Sequence, residues 1–127
     1  MMSVVAERIY AKTNDLIKDK EAVHNQINRL KQAIDSVKKH IHHTELEIVI
    51  EGASAHLVGL PDIRLANEMR ELNKEKSNLR NDEKVLNELT VKYDEFTKMI
   101  DNHRFWMHRA DTTDPARQRE AEQKIFG

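Results

Sequence analysis

Residues 1–51 contain neither glycine nor proline, and their large apolar side chains return every seven residues. One row is Ile9, Leu16, Val23, Leu30 and Val37. A second row is Thr13, Lys20, Ile27, Ile34 and Ile41. Alternating steps of four and three residues wind both rows into one stripe on an α-helix, which is the seam of a coiled coil. Between the seam positions lie Lys18, Asp19, Glu21, Gln26, Arg29, Lys31, Asp35 and Lys38, a solvated face. A chain written this way has little choice but to form a long helix and lay the stripe against a partner.

A second stripe follows a break. Leu65, Leu72, Leu79, Leu86, Tyr93 and Ile100 recur every seven residues, with Glu68, Glu75, Asp82, Leu89, Phe96 and His103 as the companion row. Only the last half of that companion row is rich in apolar groups, so this helix should hold its partner best towards its C-terminal end. Pro61 suits a first helical turn, where its missing N–H costs nothing, and Asp62 suits the positive end of the helix dipole. The expected elements are helix 1 over about residues 3–45, a tip over about 46–60 and helix 2 over about 61–107. An antiparallel hairpin with its turn near Gly52-Ala53-Ser54 pairs Ile41 with Leu65, Ile34 with Leu72, Ile27 with Leu79, Lys20 with Leu86 and Thr13 with Tyr93. Lys20 then reads as a polar seam residue that fixes register, facing Glu83 or Glu88.

The tip reads two ways. Glu45-Leu46-Glu47-Ile48-Val49-Ile50-Glu51 alternates with period two and is β-branched, and Ala55-His56-Leu57-Val58-Gly59 could return as a second strand of a β-hairpin. Leu46, Ile50, Ala53 and Leu57 fit helical spacing equally and would prolong the first helix. After Arg109, Asp111-Thr112-Thr113-Asp114-Pro115 breaks the chain and restarts it. Thr113 or Asp114 can cap a short helix over about 115–125, with Pro115 in its first turn. The expected division is a helical hairpin over residues 1–109 and a C-terminal tail over 110–127.

Composition narrows the functional classes. Charged residues make up 34% of the chain, against about 25% in an average soluble domain. There is no cysteine, which excludes disulfides, Cys-ligated zinc and thiol catalysis. Lys and Arg total 21 and Asp and Glu total 22, interspersed along the chain. That balance lacks the basic excess of a protein held by many phosphate contacts, so nucleic acid is not the expected partner. No apolar run is long enough to cross a bilayer, and the N-terminal residues lack the apolar core of a signal peptide, so a cytoplasmic protein without membrane contact is expected.

Candidate chemistry is sparse. His40, His42 and His43 cluster just before the tip, yet a zinc site needs three or four converging ligands, and one helix face supplies two. They read as an exposed surface, with no metal site. Pairs such as Asp82-Glu83 and Asp94-Glu95 sit on a charged helical face, without the pocket that acid–base work requires. No phosphate-binding, metalloprotease, nucleophile-elbow or EF-hand motif occurs. No catalytic residue and no cofactor are therefore expected. The one aromatic-basic cluster, His103-Arg104-Phe105-Trp106-Met107-His108-Arg109, could stack a base and hold phosphates together with Arg117 and Arg119. Its structural reading is an apolar knot of Ile100, Phe105, Trp106 and Met107 with Met1, Met2, Val4, Val5, Ile9 and Tyr10.

Long helix, short apolar tip and long helix over residues 3–105 form a plan that resembles the β-type subunit of prefoldin. The resemblance implies a chaperone-like protein that binds unfolded clients through its apolar ends. The reading that the residues themselves favour is an all-α, two-helix antiparallel coiled-coil hairpin with a short C-terminal helix. A lone helix pair buries only one stripe. The expected function is therefore non-enzymatic: structural or assembly work, binding other protein subunits, with self-association as a homo-dimer or higher oligomer. The interface candidates are Tyr10, Leu57, Val58, Leu60, Phe105, Trp106, Met107, Ile125 and Phe126.

Overall fold

The computed structural model describes the backbone of residues 2–58 and 63–127, and side-chain surroundings for residues 2–53 and 63–127. Among the described residues there are three helices and no strand: α1 (Val4–Val58), α2 (Ile63–Ala110) and α3 (Pro115–Phe126). The fold is all-α, with the two long helices packed against each other and a short helix at the C-terminus. The chain forms two compact units. Unit 1 comprises Met1–Gln26 and Leu89–Gly127, and unit 2 comprises Ile27–Glu88.

Unit 1 holds three helical pieces tied at their ends. The Ser3 hydroxyl accepts from the Ala6 N–H at 3.1 Å and donates to the Ala110 carbonyl at 2.6 Å. One side chain thus serves an orphan donor at the start of α1 and an orphan acceptor at the end of α2. His108 and Arg109 in the last turn of α2 complement its dipole. Asp114 caps α3, its carboxylate accepting from the Ala116 N–H at 3.0 Å, and Pro115 opens the first turn. The Gln118 side chain donates to the Thr112 carbonyl at 2.6 Å and ties the connector to the helix it precedes. Gly127 adopts φ +90° and donates to the Gln123 carbonyl, closing the last turn.

The core of unit 1 gathers Val5, Ala6 and Ile9 of α1, Ala110 of α2, and Ala121 and Ile125 of α3. Trp106 and Met107 pack against it. Each helix contributes one alanine with no exposed surface, namely Ala6, Ala110 and Ala121. Small side chains at these three places let the helices approach closely. The tail therefore docks on its own chain, and Ile125 is spent on internal packing.

In unit 2 the buried residues are Ile27, Ile34, Ile41 and Leu72. Ion pairs join α1 to α2 along its length, Glu45 with Lys76 at 3.0 Å, Glu51 with Arg64 at 3.8 Å and Lys38 with Glu83 at 3.9 Å, and His40 meets Glu75 at 3.5 Å. Each residue of the expected seam is buried or half-buried. Ile9, Val23, Ile27, Ile34, Ile41, Leu72 and Ile100 are buried. Leu16, Leu30, Val37, Leu65, Leu79, Leu86, Tyr93 and Phe96 are half-buried.

Two expectations are corrected. The first helix does not stop near residue 45, because α1 continues to Val58 through the stretch that alternates like a strand. The β-hairpin over residues 45–59 is accordingly not formed among the described residues. A helix already running adds one hydrogen bond for each residue it fixes, whereas an isolated two-stranded hairpin is marginal. The second correction concerns register. Lys20 does not face Leu86, Glu83 or Glu88; its ammonium lies 4.8 Å from the centre of the Tyr93 ring, and His24 stacks obliquely on the same ring at 5.8 Å. In unit 2 a Cβ on Gly52 would lie 3.5 Å from Leu65 Cδ2. Ile34 and Leu86 border one groove there, and Val37 and Leu79 another. Each of these α1 residues thus meets a later part of α2 than the expected pairing gave it, and the longer α1 accounts for the displacement. A stripe that repeats every seven residues fits both registers, so the period alone could not choose between them. The described part of α2 starts at Ile63, and the expected helix start at Pro61 and Asp62 lies outside the described residues.

Candidate functional site

The candidate surface in unit 2 is built by the prolongation of α1. Residues Thr44, Glu45, Ile48, Glu51 and Gly52 turn inward and are half-buried, whereas Leu46, Val49, Ile50 and Ala53 are exposed. Positions 46, 49, 50 and 53 follow i, i+3, i+4, i+7 spacing, one face of a helix. This apolar stripe therefore lies on the side of α1 that does not meet α2. Val49 is 68% exposed and Ile50 66%, and Ile63 at the start of α2 is 78% exposed. The interface candidates Leu57, Val58 and Leu60 continue the chain beyond it, but their side chains lie outside the described residues.

The flanks of the seam in unit 2 are open. Grooves of about 280, 450 and 410 Å³ run beside Ile34 and Leu86, beside Val37 and Leu79, and beside Leu72. Their rims carry Lys31, Lys38, Asp35, Glu83, Glu68 and Glu71, and their floors are the seam itself. Glu75 borders two of these grooves, and its Oε2 is buried without a hydrogen-bond partner while its Oε1 meets His40. A carboxylate so placed is only half satisfied, because an unmade bond to a buried acceptor carries its full desolvation penalty.

The other interface candidates lie in unit 1, and the structure separates them. Tyr10, Phe105 and Phe126 are exposed, Trp106 and Met107 are half-buried, and Ile125 is buried. Phe105 meets Trp106 edge to face, with ring centres 5.1 Å apart. The Arg109 guanidinium lies 5.6 Å from each of those rings and the Lys124 ammonium 6.0 Å from Trp106. Arg8 lies 4.5 Å and Lys12 5.0 Å from the Phe126 ring centre. Cations over ring faces are favourable, and they occupy the faces on which a base would stack. The remaining cations of the nucleic-acid reading are scattered: Arg117 pairs with Asp114 at 3.8 Å, the Arg119 side chain donates to the Pro115 carbonyl at 3.4 Å, and Arg104 is exposed.

Two histidines of the cluster meet separate carboxylates rather than a common point. His40 meets Glu75, and His43 meets Glu47 at 2.9 Å. No group of three or more metal-ligating side chains converges among the described residues. His103 is the histidine that stands apart. It is buried, and its Nδ1 has no hydrogen-bond partner. Burial first, and the Lys12 ammonium second, hold its pKa below the usual 6.5. Its place in the companion row of the α2 stripe was visible in the sequence. Its chemical isolation was not, because that depends on which residues of α1 face it.

No helix among the described residues is long and apolar enough to cross a membrane. Comparison with protein-family models, with curated proteins and with solved structures finds no significant match.

Proposed function

We propose that this chain is a non-enzymatic assembly protein that binds other helical protein subunits, a second copy of itself first, through the uncovered face of unit 2. The single observation that supports this reading is the exposed stripe Leu46, Val49, Ile50 and Ala53. Four apolar residues at helical spacing on the outer side of a helix gain nothing in water. They gain about 25 cal/mol for each Å² of apolar surface removed from it. The open grooves beside the seam point the same way, since a pair of helices becomes a stable bundle when further helices cover its flanks. A second copy is the simplest supplier, because most soluble oligomers are built from identical chains.

Sedimentation velocity across a concentration series tests the proposal with the doubly substituted chain Val49→Lys, Ile50→Lys as control. The expected result is a parent that sediments as a dimer or larger species at micromolar concentration. The substituted chain should sediment as a monomer with unchanged helix content. A parent that remains a well-folded monomer throughout would overturn self-association.

A further inference from the structure

We propose that His103 and Lys12 form an acid-sensitive latch that releases the C-terminal end of α3 from its seat in unit 1. The latch stands on the burial of His103 and on the contacts that Lys12 makes with the end of α3. His103 on α2 is buried with a ring nitrogen that has no partner. Lys12 on α1 is the charged group that acts on it. The same ammonium donates to the Ile125 carbonyl at 3.3 Å and lies over the Phe126 ring. Lys12 therefore connects the buried imidazole to the last turn of α3, where Ile125 fills the core.

While His103 is neutral, the connection holds. Protonation places a positive charge on a buried side chain, and a second cation, Lys12, opposes that charge. Buried like charges are resolved by movement or by admission of water. Among the charged groups on the surrounding elements, Glu7 and Asp15 of α1 and Glu120 of α3 are exposed. On α1, Arg8 is engaged by Glu122 at 2.8 Å. On α3, Glu122 is that partner and Lys124 lies by Trp106. On α2 the residues three and four positions away, Met99, Ile100, Trp106 and Met107, are uncharged, and Asp101, Arg104 and His108 are exposed. The element free to respond is the short α3, held by a thin apolar face. Its departure would uncover Ile125, Phe126 and one side of Trp106.

The sign of the effect follows from proton linkage. A histidine with a lowered pKa in the docked state binds fewer protons there than in the released state. Docking is thus at full strength above pH 6.5 and weakens as the pH falls below that value. This inference is independent of self-association, because every group in it belongs to unit 1 of one chain.

Residue-resolved hydrogen exchange at pH 7.5 and pH 5.0, expressed as protection relative to intrinsic rates, tests it in the full chain. The parent should lose protection in the amides of residues 119–127 at pH 5.0 while the amides of α1 in unit 1 keep theirs. His103→Gln and His103→Leu should hold α3 equally protected at both values, and Lys12→Gln should show a smaller loss than the parent. A parent whose α3 is equally protected at both pH values would overturn the latch, as would an undiminished loss in either His103 variant. Should neither His103 variant fold, Lys12→Gln decides alone, and a loss as large as the parent's rejects the proposal.

Discussion

Unit 1 and unit 2 are built from the same two helices and the same heptad stripes, yet they reach different degrees of closure. In unit 1 a third helix lies over the seam, so that Ile9 and three alanines have no exposed surface at all. In unit 2 nothing described lies over the seam, and grooves flank Ile34, Val37, Leu79 and Leu86. The difference teaches where the stability of such a chain must come from. Heptad periodicity brings two helices together, but a two-helix seam buries one side of each residue. Enclosing the rest takes a further element, supplied in unit 1 by α3. The companion row shows the same contrast. It offers Leu89, Phe96 and a buried His103 to unit 1, but Glu68, Glu75 and Asp82 to unit 2.

The comparison breaks first, and most visibly, under matched truncations in the two cores. Ile9→Ala removes a fully enclosed side chain and should cost about 2–5 kcal/mol, the range for large-to-small changes in closed cores. Ile34→Ala, beside an open groove, should cost about 2 kcal/mol, because water and neighbouring side chains reach the space left behind. Denaturant titration at low protein concentration measures both. If a second copy covers unit 2, the cost of Ile34→Ala will climb towards that of Ile9→Ala as concentration rises. Equal costs at every concentration would show that the two units are equally closed.

Much of the fold was legible in residues 1–51 and 63–110, because a seven-residue period has only one common structural meaning. The cap at Asp114 and the helix behind Pro115 were legible for a similar reason, since a short polar residue before proline serves a helix start. Two things were not. The stretch from Glu45 to Glu51 satisfies a period of two and a period of 3.6 together, and β-branched side chains favour strands only where a sheet exists to receive them. With no such sheet described around it, the helix ran on. That prolongation shifted α2 against α1, and the shift decided which residue of α1 faces each residue of α2. The contact of Lys20 with Tyr93 and the influence of Lys12 on His103 follow from the register. The apolar stripe at positions 46, 49, 50 and 53 was legible in part: Leu46, Ile50 and Ala53 fit the helical reading of the tip, and Val49 completes it once that reading prevails.

A smaller effect of opposite sign belongs to unit 2. Gly52 sits inside α1 with helical backbone, and a methyl group there would meet Leu65 Cδ2 at 3.5 Å, an ordinary van der Waals distance. Glycine in a helix interior costs roughly 0.5–1 kcal/mol relative to alanine. Gly52→Ala should therefore stabilise the chain by about that amount and raise the melting temperature slightly. A loss of stability would mean that α1 approaches α2 near residue 52 more tightly than in this structure, and that unit 2 is better packed than its grooves indicate.

The smallest effect asks whether charge or burial holds α3 in place. Arg8 and Glu122 form the shortest ion pair between α1 and α3, at 2.8 Å, but both side chains are 50% and 43% exposed. Exposed pairs contribute a median of about 0–1 kcal/mol, since water and salt screen the attraction and two long side chains must be held still. Arg8 also lies over the Phe126 ring, and contacts of that kind add about 0.5–1 kcal/mol at exposed sites. Arg8→Met keeps most of the aliphatic stem while removing both electrostatic contacts, so its total cost should stay near 1 kcal/mol. The cost should shrink further in molar salt. A loss of several kcal/mol would place the docking of α3 on charge rather than on the enclosure of Ala121 and Ile125. Unit 1 would then owe its closure to a screened surface contact, and its contrast with unit 2 would fade as ionic strength rises.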